Sequence, residues 1–334
     1  MFNLMKSLKQ AITVFFIFAA LPSFAANHVI DILVVYTDST AAKYGGDPSA
    51  RINQLFQVTN QIYRDSNVDL EIRVAGTLKV DYTDENSAEE ALNDITFTRQ
   101  PAFNSVAAMR DKVNADMVIF YRSYKEVHGV CGLAWTGGVD TEGNFSDPSL
   151  KNFMYAHIAF DTCGDFMTAH ELGHNMGLRH SRKQDGKGGT FPYALGHGEN
   201  NKFTTIMAYQ SAFNVDYWEG KVYKFSSPAL DCKGSPCGVD RKDPVNGADA
   251  VYTLNITAPQ IANFFTAKSA AVSSAATSSV SSALTSSSSS SSANIIANNV
   301  PAVTNSGGGG SGSGGGAFTL FGLLFMAGLC VIRK

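Results

Sequence analysis

His170-Glu171-Leu172-Gly173-His174-Asn175-Met176-Gly177-Leu178-Arg179-His180 is the stretch on which the reading of this sequence turns. The spacing predicts a helix through His170 and His174, and four residues along a helix bring two imidazoles onto one face, one turn apart. Both can then reach a single ion. Gly177 stands where a left-handed backbone can end that helix and turn the chain, so that His180 comes back to the same point. Three neutral imidazoles leave one tetrahedral position open for water, the pattern of a catalytic rather than a structural zinc site. Glu171 adjoins the first of them and is placed to act as the base for that water. With this composition H-E-x-x-H arises by chance in roughly one chain of this length in 250, and the added Gly and third His lower that to roughly one in 100,000. The odds favour a Zn2+ site over a polar helix face.

Working outward, His28 to Thr37 is a nearly continuous run of β-branched and apolar residues and reads as a buried strand. Pro48 to Asp65 carries Ile52, Leu55, Phe56, Ile62 and Tyr63 at helical spacing. Val68 to Val74 alternates apolar and charged residues, as a strand buried on one face does, and Ala115 to Tyr121 returns to the buried type. Asn152 to Asp161 is expected to be a further strand, leading into a helix whose start is capped by Thr162 with Asp165. Residues 181 to 203, rich in Gly, Lys and Asn, are expected to be loop. Strands alternating with helices imply an α/β (α+β) fold, with helices packed on a twisted, mostly parallel sheet.

The two ends differ in composition from this body. Residues 1–25 hold Lys6, Lys9, an apolar run and Ser23-Phe24-Ala25, and read as a signal peptide cut after Ala25. The body is expected to span 26–266, a Ser-rich disordered linker 267–305, and a Gly-rich segment with an apolar helix 306–334, ending in Arg333-Lys334. Export favours disulfides over free thiols. Sequence proximity pairs Cys131 with Cys163 and Cys232 with Cys237, among three possible pairings, and leaves Cys330 over in the tail. With 26 Lys+Arg against 29 Asp+Glu and no basic cluster, the chain is not expected to bind nucleic acid, and a monomer is expected. His28, His128, His157 and His197 lack ligand spacing and read as surface or satisfied core histidines.

The His170–His180 stretch resembles the long zinc motif of metzincin peptidases, and its Leu-Gly-His-Asn core looks most like the reprolysin, or adamalysin, branch. That branch usually carries Asp after the third histidine, whereas this chain has Ser181, as matrixins do. Thr204-Thr205-Ile206-Met207-Ala208-Tyr209 is similar to the Met-turn beneath the metal in these enzymes, which makes Met207 an apolar floor. Tyr209 is similar to the Tyr used by astacin-like and serralysin-like members as an extra ligand or oxyanion stabiliser; a purely structural Tyr is the alternative. Gly132-Leu133-Ala134-Trp135 resembles the edge segment beside which a peptide substrate lies, with Trp135 equally readable as core. The resemblance implies a zinc cleft between an upper sheet lobe and a smaller C-terminal subdomain, in a secreted endopeptidase acting on protein or peptide substrates. A surface adhesin on a zincin fold and a zinc amidase acting on cell-wall peptides remain open. Residues 306–334 resemble the Gly-Gly sorting signals of some Gram-negative bacteria. That resemblance implies passage through the periplasm, a tail transiently in the inner membrane, and an intramembrane sorting protease as a partner; a plain membrane anchor is the alternative.

Overall fold

β1, Val29–Thr37, lies inside the sheet, pairing in parallel with β2, Glu71–Val80, along one edge and with β3, Met117–Arg122, along the other. Two further strands complete the sheet: β4, Gly132–Ala134, and β5, Tyr155–Ala159. The order is β2-β1-β3-β5-β4, and only the β4–β5 pair is antiparallel. This is a computed structural model, and the residues it describes are 26 and 28–265. The signal segment, the Ser-rich linker, the Gly-rich tail and Cys330 lie outside the described residues.

The helices are α1, Asp38–Lys43; α2, Ser49–Asp65; α3, Ala88–Phe97; α4, Val106–Val113; α5, Met167–Asn175; α6, Arg182–Asp185; and α7, Ala250–Ile261. Successive side chains of a strand point to opposite faces, so β1 feeds two cores. Ile30, Ile32 and Val34 join Ile52, Leu55 and Phe56 of α2, Leu172 of α5 and Leu254 of α7. Leu33 and Val35 join Ala91, Leu92 and Ile95 of α3 and Val106 of α4. The sheet is thereby covered on both sides, as a mostly parallel sheet requires.

Several local expectations are corrected. The strand expected over Val68 to Val74 begins only at Glu71 and runs on to Val80. Val68 and Leu70 are buried, but in the turn after α2, where Val68 N–H donates to the Tyr63 carbonyl at 2.9 Å. Alternation here reports burial rather than pairing. The Thr162–Asp165 cap does not form: Thr162 takes a φ of +72°, Asp165 pairs with Arg51 at 2.7 Å, and α5 starts after Phe166 without a side-chain cap. Residues 181 to 203 contain α6 and two short ribbons, Arg179–Ser181 with Leu195–Gly196 and Gly198–Glu199 with Phe203–Thr204. The last helix spans Ala250–Ile261, with the Asp249 side chain accepting from Tyr252 N–H and Pro259 in its final turns.

Both expected disulfides form. Cys232–Cys237 closes a hairpin, and Cys131–Cys163 links the residue before β4 to the segment before α5 across a separation of 32 residues. A loop of that length constrains the unfolded chain by about 3–4 kcal/mol. Replacing Cys131 and Cys163 together by Ser is expected to lower the unfolding free energy by roughly that amount in urea titrations. A loss under about 1 kcal/mol would mean that packing alone holds β4 to α5.

Candidate active site

All nine residues of α5 are buried, although five of them are polar. Its position follows from contacts at both ends. Thr168 meets Tyr121 of β3 hydroxyl to hydroxyl at 2.8 Å. Asn175 Nδ2 donates to the carbonyls of Trp135, at 2.9 Å, and Tyr155, at 3.2 Å, which fixes the helix end to the strand edge. Gly177, at φ +94°, closes the helix: its N–H donates to the His174 carbonyl at 2.9 Å and Leu178 N–H to the Gly173 carbonyl at 3.0 Å. A β-carbon at Gly177 would meet Thr190 at 2.8 Å, so both the backbone angle and the space call for glycine.

This turn returns His180 to the helix. The ring centroids of His170 and His174 lie 4.9 Å apart, those of His170 and His180 5.4 Å, and those of His174 and His180 4.8 Å. One ring nitrogen from each of the three lies within 4.8 Å of the others, and no other such His, Cys, Asp or Glu cluster occurs among the described residues. Each Nδ1 has its own acceptor: the Ile206 carbonyl for His170 at 2.9 Å, the Leu178 carbonyl for His174 at 2.9 Å, and the Asp185 carboxylate for His180 at 3.1 Å. Carbonyls and carboxylates only accept, so the Nδ1 atoms carry the protons and each Nε2 keeps its lone pair. Burial drives His170 well below the ordinary histidine range and His174 down to about 3, which holds both rings neutral. Neutral imidazoles fixed in this tautomer are the form that binds a divalent metal.

Glu171 lies beside them with 2% exposure and an Oε2 that finds no partner among the described residues. Burial pushes its carboxyl well above the ordinary range. It fits against β4 only because residue 132 is glycine; a β-carbon there would collide with the carboxylate. An orphaned carboxylate next to three oriented imidazoles fits a cation between them.

Met207 is fully buried, and its sulfur packs so closely under α5 that a β-carbon at Gly173 would come within 2.7 Å of it. It forms the expected floor. Tyr209 is 44% exposed, with its ring centroid 4.5 Å from that of His180 and 5.9 Å from that of His170. A cavity of about 270 Å³ opens beside His170 and Glu171, walled by Val130, Phe166, Met167 and Tyr217, with Tyr209 and Lys221 also lining it.

Every residue singled out in the zinc motif therefore converges on one place. Trp135 does not: its indole N–H donates to Thr96 at 3.0 Å and its ring packs against Phe97 and Phe153, on the far side of the sheet edge. His157 and His128 are buried away from the site, with His157 Nε2 accepting from Arg122 Nε at 2.9 Å. Three residues that spacing did not reveal belong to the site. Asp185 orients His180 from four positions beyond Ser181, the position where the reprolysin branch carries its Asp. Gly132 makes room for Glu171. Lys221 is buried at 7% exposure on the cavity wall, and burial lowers its ammonium to about 7.

Residues 26–219 match the Reprolysin_5 family, described as metallo-peptidase family M12. The chain is 33% identical over 261 residues to a peptidyl-Asp metalloendopeptidase of Pseudomonas aeruginosa, covering 73% of this chain and 41% of the relative. It is 29% identical to one of Stenotrophomonas maltophilia, covering 70% of this chain and 52% of the relative. The chain thus spans about half the length of the curated relatives it matches. A chain in a solved structure described as "Structure of a chaperone-substrate complex" superposes with a TM-score of 0.54 at 21% identity, over 72% of this chain and 35% of that one, and so shares the fold. Since the family match takes in β1 through the Met207 segment, including all three converging histidines, the chain belongs to metallopeptidase family M12.

Proposed function

We propose that the chain is a zinc-dependent endopeptidase in which His170, His174 and His180 hold the metal and Glu171 is the general base. The observation that carries this reading is the orphaned Glu171 carboxylate beside three imidazoles whose Nδ1 atoms are already engaged. Zinc in such a site supplies Lewis acidity, lowering the pKa of a water and polarising a peptide carbonyl. Glu171 accepts the proton of the attacking water as its oxygen bonds to the carbonyl carbon, then passes that proton to the amine as the C–N bond breaks. Tyr209, its ring tilted against that of His180 and partly exposed, serves as a donor to the carbonyl oxygen as it gains charge. β4 is the outer strand of the sheet, and an extended peptide adds to such an edge through main-chain hydrogen bonds.

The reading includes export. Two disulfides, Cys131–Cys163 and Cys232–Cys237, belong with an oxidising compartment and support the interpretation of residues 1–25 as a signal peptide. Residues 306–334 then act as a sorting signal removed by an intramembrane protease, leaving the enzyme secreted or at the surface of a Gram-negative cell. The shared name of the relatives, peptidyl-Asp metalloendopeptidase, makes peptide bonds at aspartate the first substrates to assay.

Casein cleavage by the wild-type chain is expected to fall by at least about 100-fold in Glu171→Ala, with the fold intact by circular dichroism. Equal, background cleavage by both proteins would leave a binding module, and release of cell-wall peptides without casein cleavage would make the chain an amidase. Chelation is expected to abolish activity and added zinc to restore it; full activity in metal-free protein would overturn the assignment. Asp185→Asn keeps the size of the side chain but weakens its grip on His180, and a loss of about 10- to 100-fold in zinc affinity is expected by chelator competition.

A further inference from the structure

We infer that Lys221 is the specificity-determining residue of this site and that it receives the carboxylate of an acidic substrate side chain in the cavity beside Glu171. The inference rests on the peptidase reading for the direction in which the substrate enters, and on the following geometry for its chemistry.

The wall of the cavity is largely apolar and aromatic, and among its lining residues only Glu171 bears a carboxyl and only Lys221 an amino group. Glu171 belongs to the reacting end. Lys221 stands apart from it, reached from a different segment of chain. Its Nζ donates to the carbonyls of Thr205 at 3.1 Å, Ile206 at 3.4 Å and Ala208 at 2.6 Å, and lies 4.8 Å from the centre of the Phe166 ring. No carboxylate among the described residues forms an ion pair with it. Buried lysines are ordinarily paired, because carbonyl dipoles and a ring face solvate an ammonium without neutralising it. This one is held still, 7% exposed, with its charge unanswered, on the wall of the cavity that adjoins the base.

A substrate carboxylate entering that cavity supplies the missing charge. The neutral isostere, asparagine, does not, and leaves the cation as it was. The carboxylate takes the N–H released from the Ile206 carbonyl, the longest of the three contacts, while the Thr205 and Ala208 carbonyls keep the ammonium placed, so little ordering is lost. The Ile206 carbonyl accepts from both Lys221 Nζ and His170 Nδ1, so the side-chain subsite and the histidine cluster share one rigid piece of backbone. Recognition and cleavage are thereby kept in register. The apolar walls lower the local dielectric and strengthen the pairing.

The test uses the full chain with zinc and two peptides free of other acidic residues, one with a single aspartate and one with asparagine at that position, cleavage being mapped by mass spectrometry. Wild type is expected to favour the aspartate peptide in kcat/KM by roughly 100-fold, with the cut next to that residue. Lys221→Gln retains hydrogen-bond donors for the carbonyls without the charge, and Lys221→Met removes both; each is expected to bring the ratio close to one, whereas Lys221→Arg keeps part of it. A purely structural lysine would lower both peptides alike and leave the ratio unchanged, which would overturn the inference, as would a wild-type ratio near one. Should the Met variant fail to fold, the Gln variant decides. Binding of both peptides to Glu171→Gln, alone and combined with Lys221→Gln, separates the two hypotheses. If wild type cuts neither peptide, the peptidase reading falls; Lys221-dependent preference for the aspartate peptide in binding would still uphold the inference, and equal binding of the two would sink it.

Discussion

Three imidazoles are held in one tautomer and aimed at one point because each Nδ1 has an acceptor of its own, and the rest of the molecule is arranged around that requirement. The acceptors come from three sources: the carbonyl just after the helix, the Met207 segment, and the carboxylate of α6. None is interchangeable with water, which could donate as well as accept and so leave the rings free to turn. The site is therefore only as precise as the placement of Leu178, Ile206 and Asp185.

Burying a polar helix is costly, and the fold shows how that cost is offset. Thr168, His170, His174 and Asn175 of α5 each hydrogen-bond to a neighbouring strand, turn or side chain, while Leu172 and Ala169 join the main core beneath. The sheet supplies the rigid backing, with β1 buried on both faces and the Cys131–Cys163 bond fastening the edge strand to the approach of the helix. Glu171 Oε2 is among the buried polar atoms without a partner, and what sets it apart is its place beside the histidine cluster.

The cleft sets a carboxylate and an ammonium in one largely apolar hollow without pairing them. On the function proposed above, each serves a different part of a bound chain: the carboxylate the reacting atoms, the ammonium a side chain. The segment from Thr204 to Lys221 borders both the helix and the cavity, since Met207 packs under α5 while Lys221 is gripped by the carbonyls around it. A single short stretch of backbone thus couples the metal-binding face to the cavity wall.

Much of this was legible in the residues themselves. The strands at β1 and β3, the helix from Ser49 to Asp65, the two disulfides and the convergence of His170, His174 and His180 all follow from local periodicity, short separations and a glycine that must turn left-handed. Apart from the Cys131–Cys163 bond, which spans 32 residues, such features depend on neighbours close along the chain, which a sequence displays directly. Where a residue's meaning depended on a partner far along the chain, local pattern misled. Val68 and Leu70 alternate like a strand yet are buried in a turn, Thr162 and Asp165 look like a cap yet serve other contacts, and Trp135 turns to α3 rather than to the cleft. Asp185 and Lys221 carried no signal of their own, and Gly132 was marked only by the edge segment it opens, because an absent β-carbon, a lone carboxylate and a lone lysine acquire their roles only from what folding sets opposite them. The amino-acid order determined which three histidines would come together; only the packing of distant segments decided what would orient their rings and what else would line the cavity beside them.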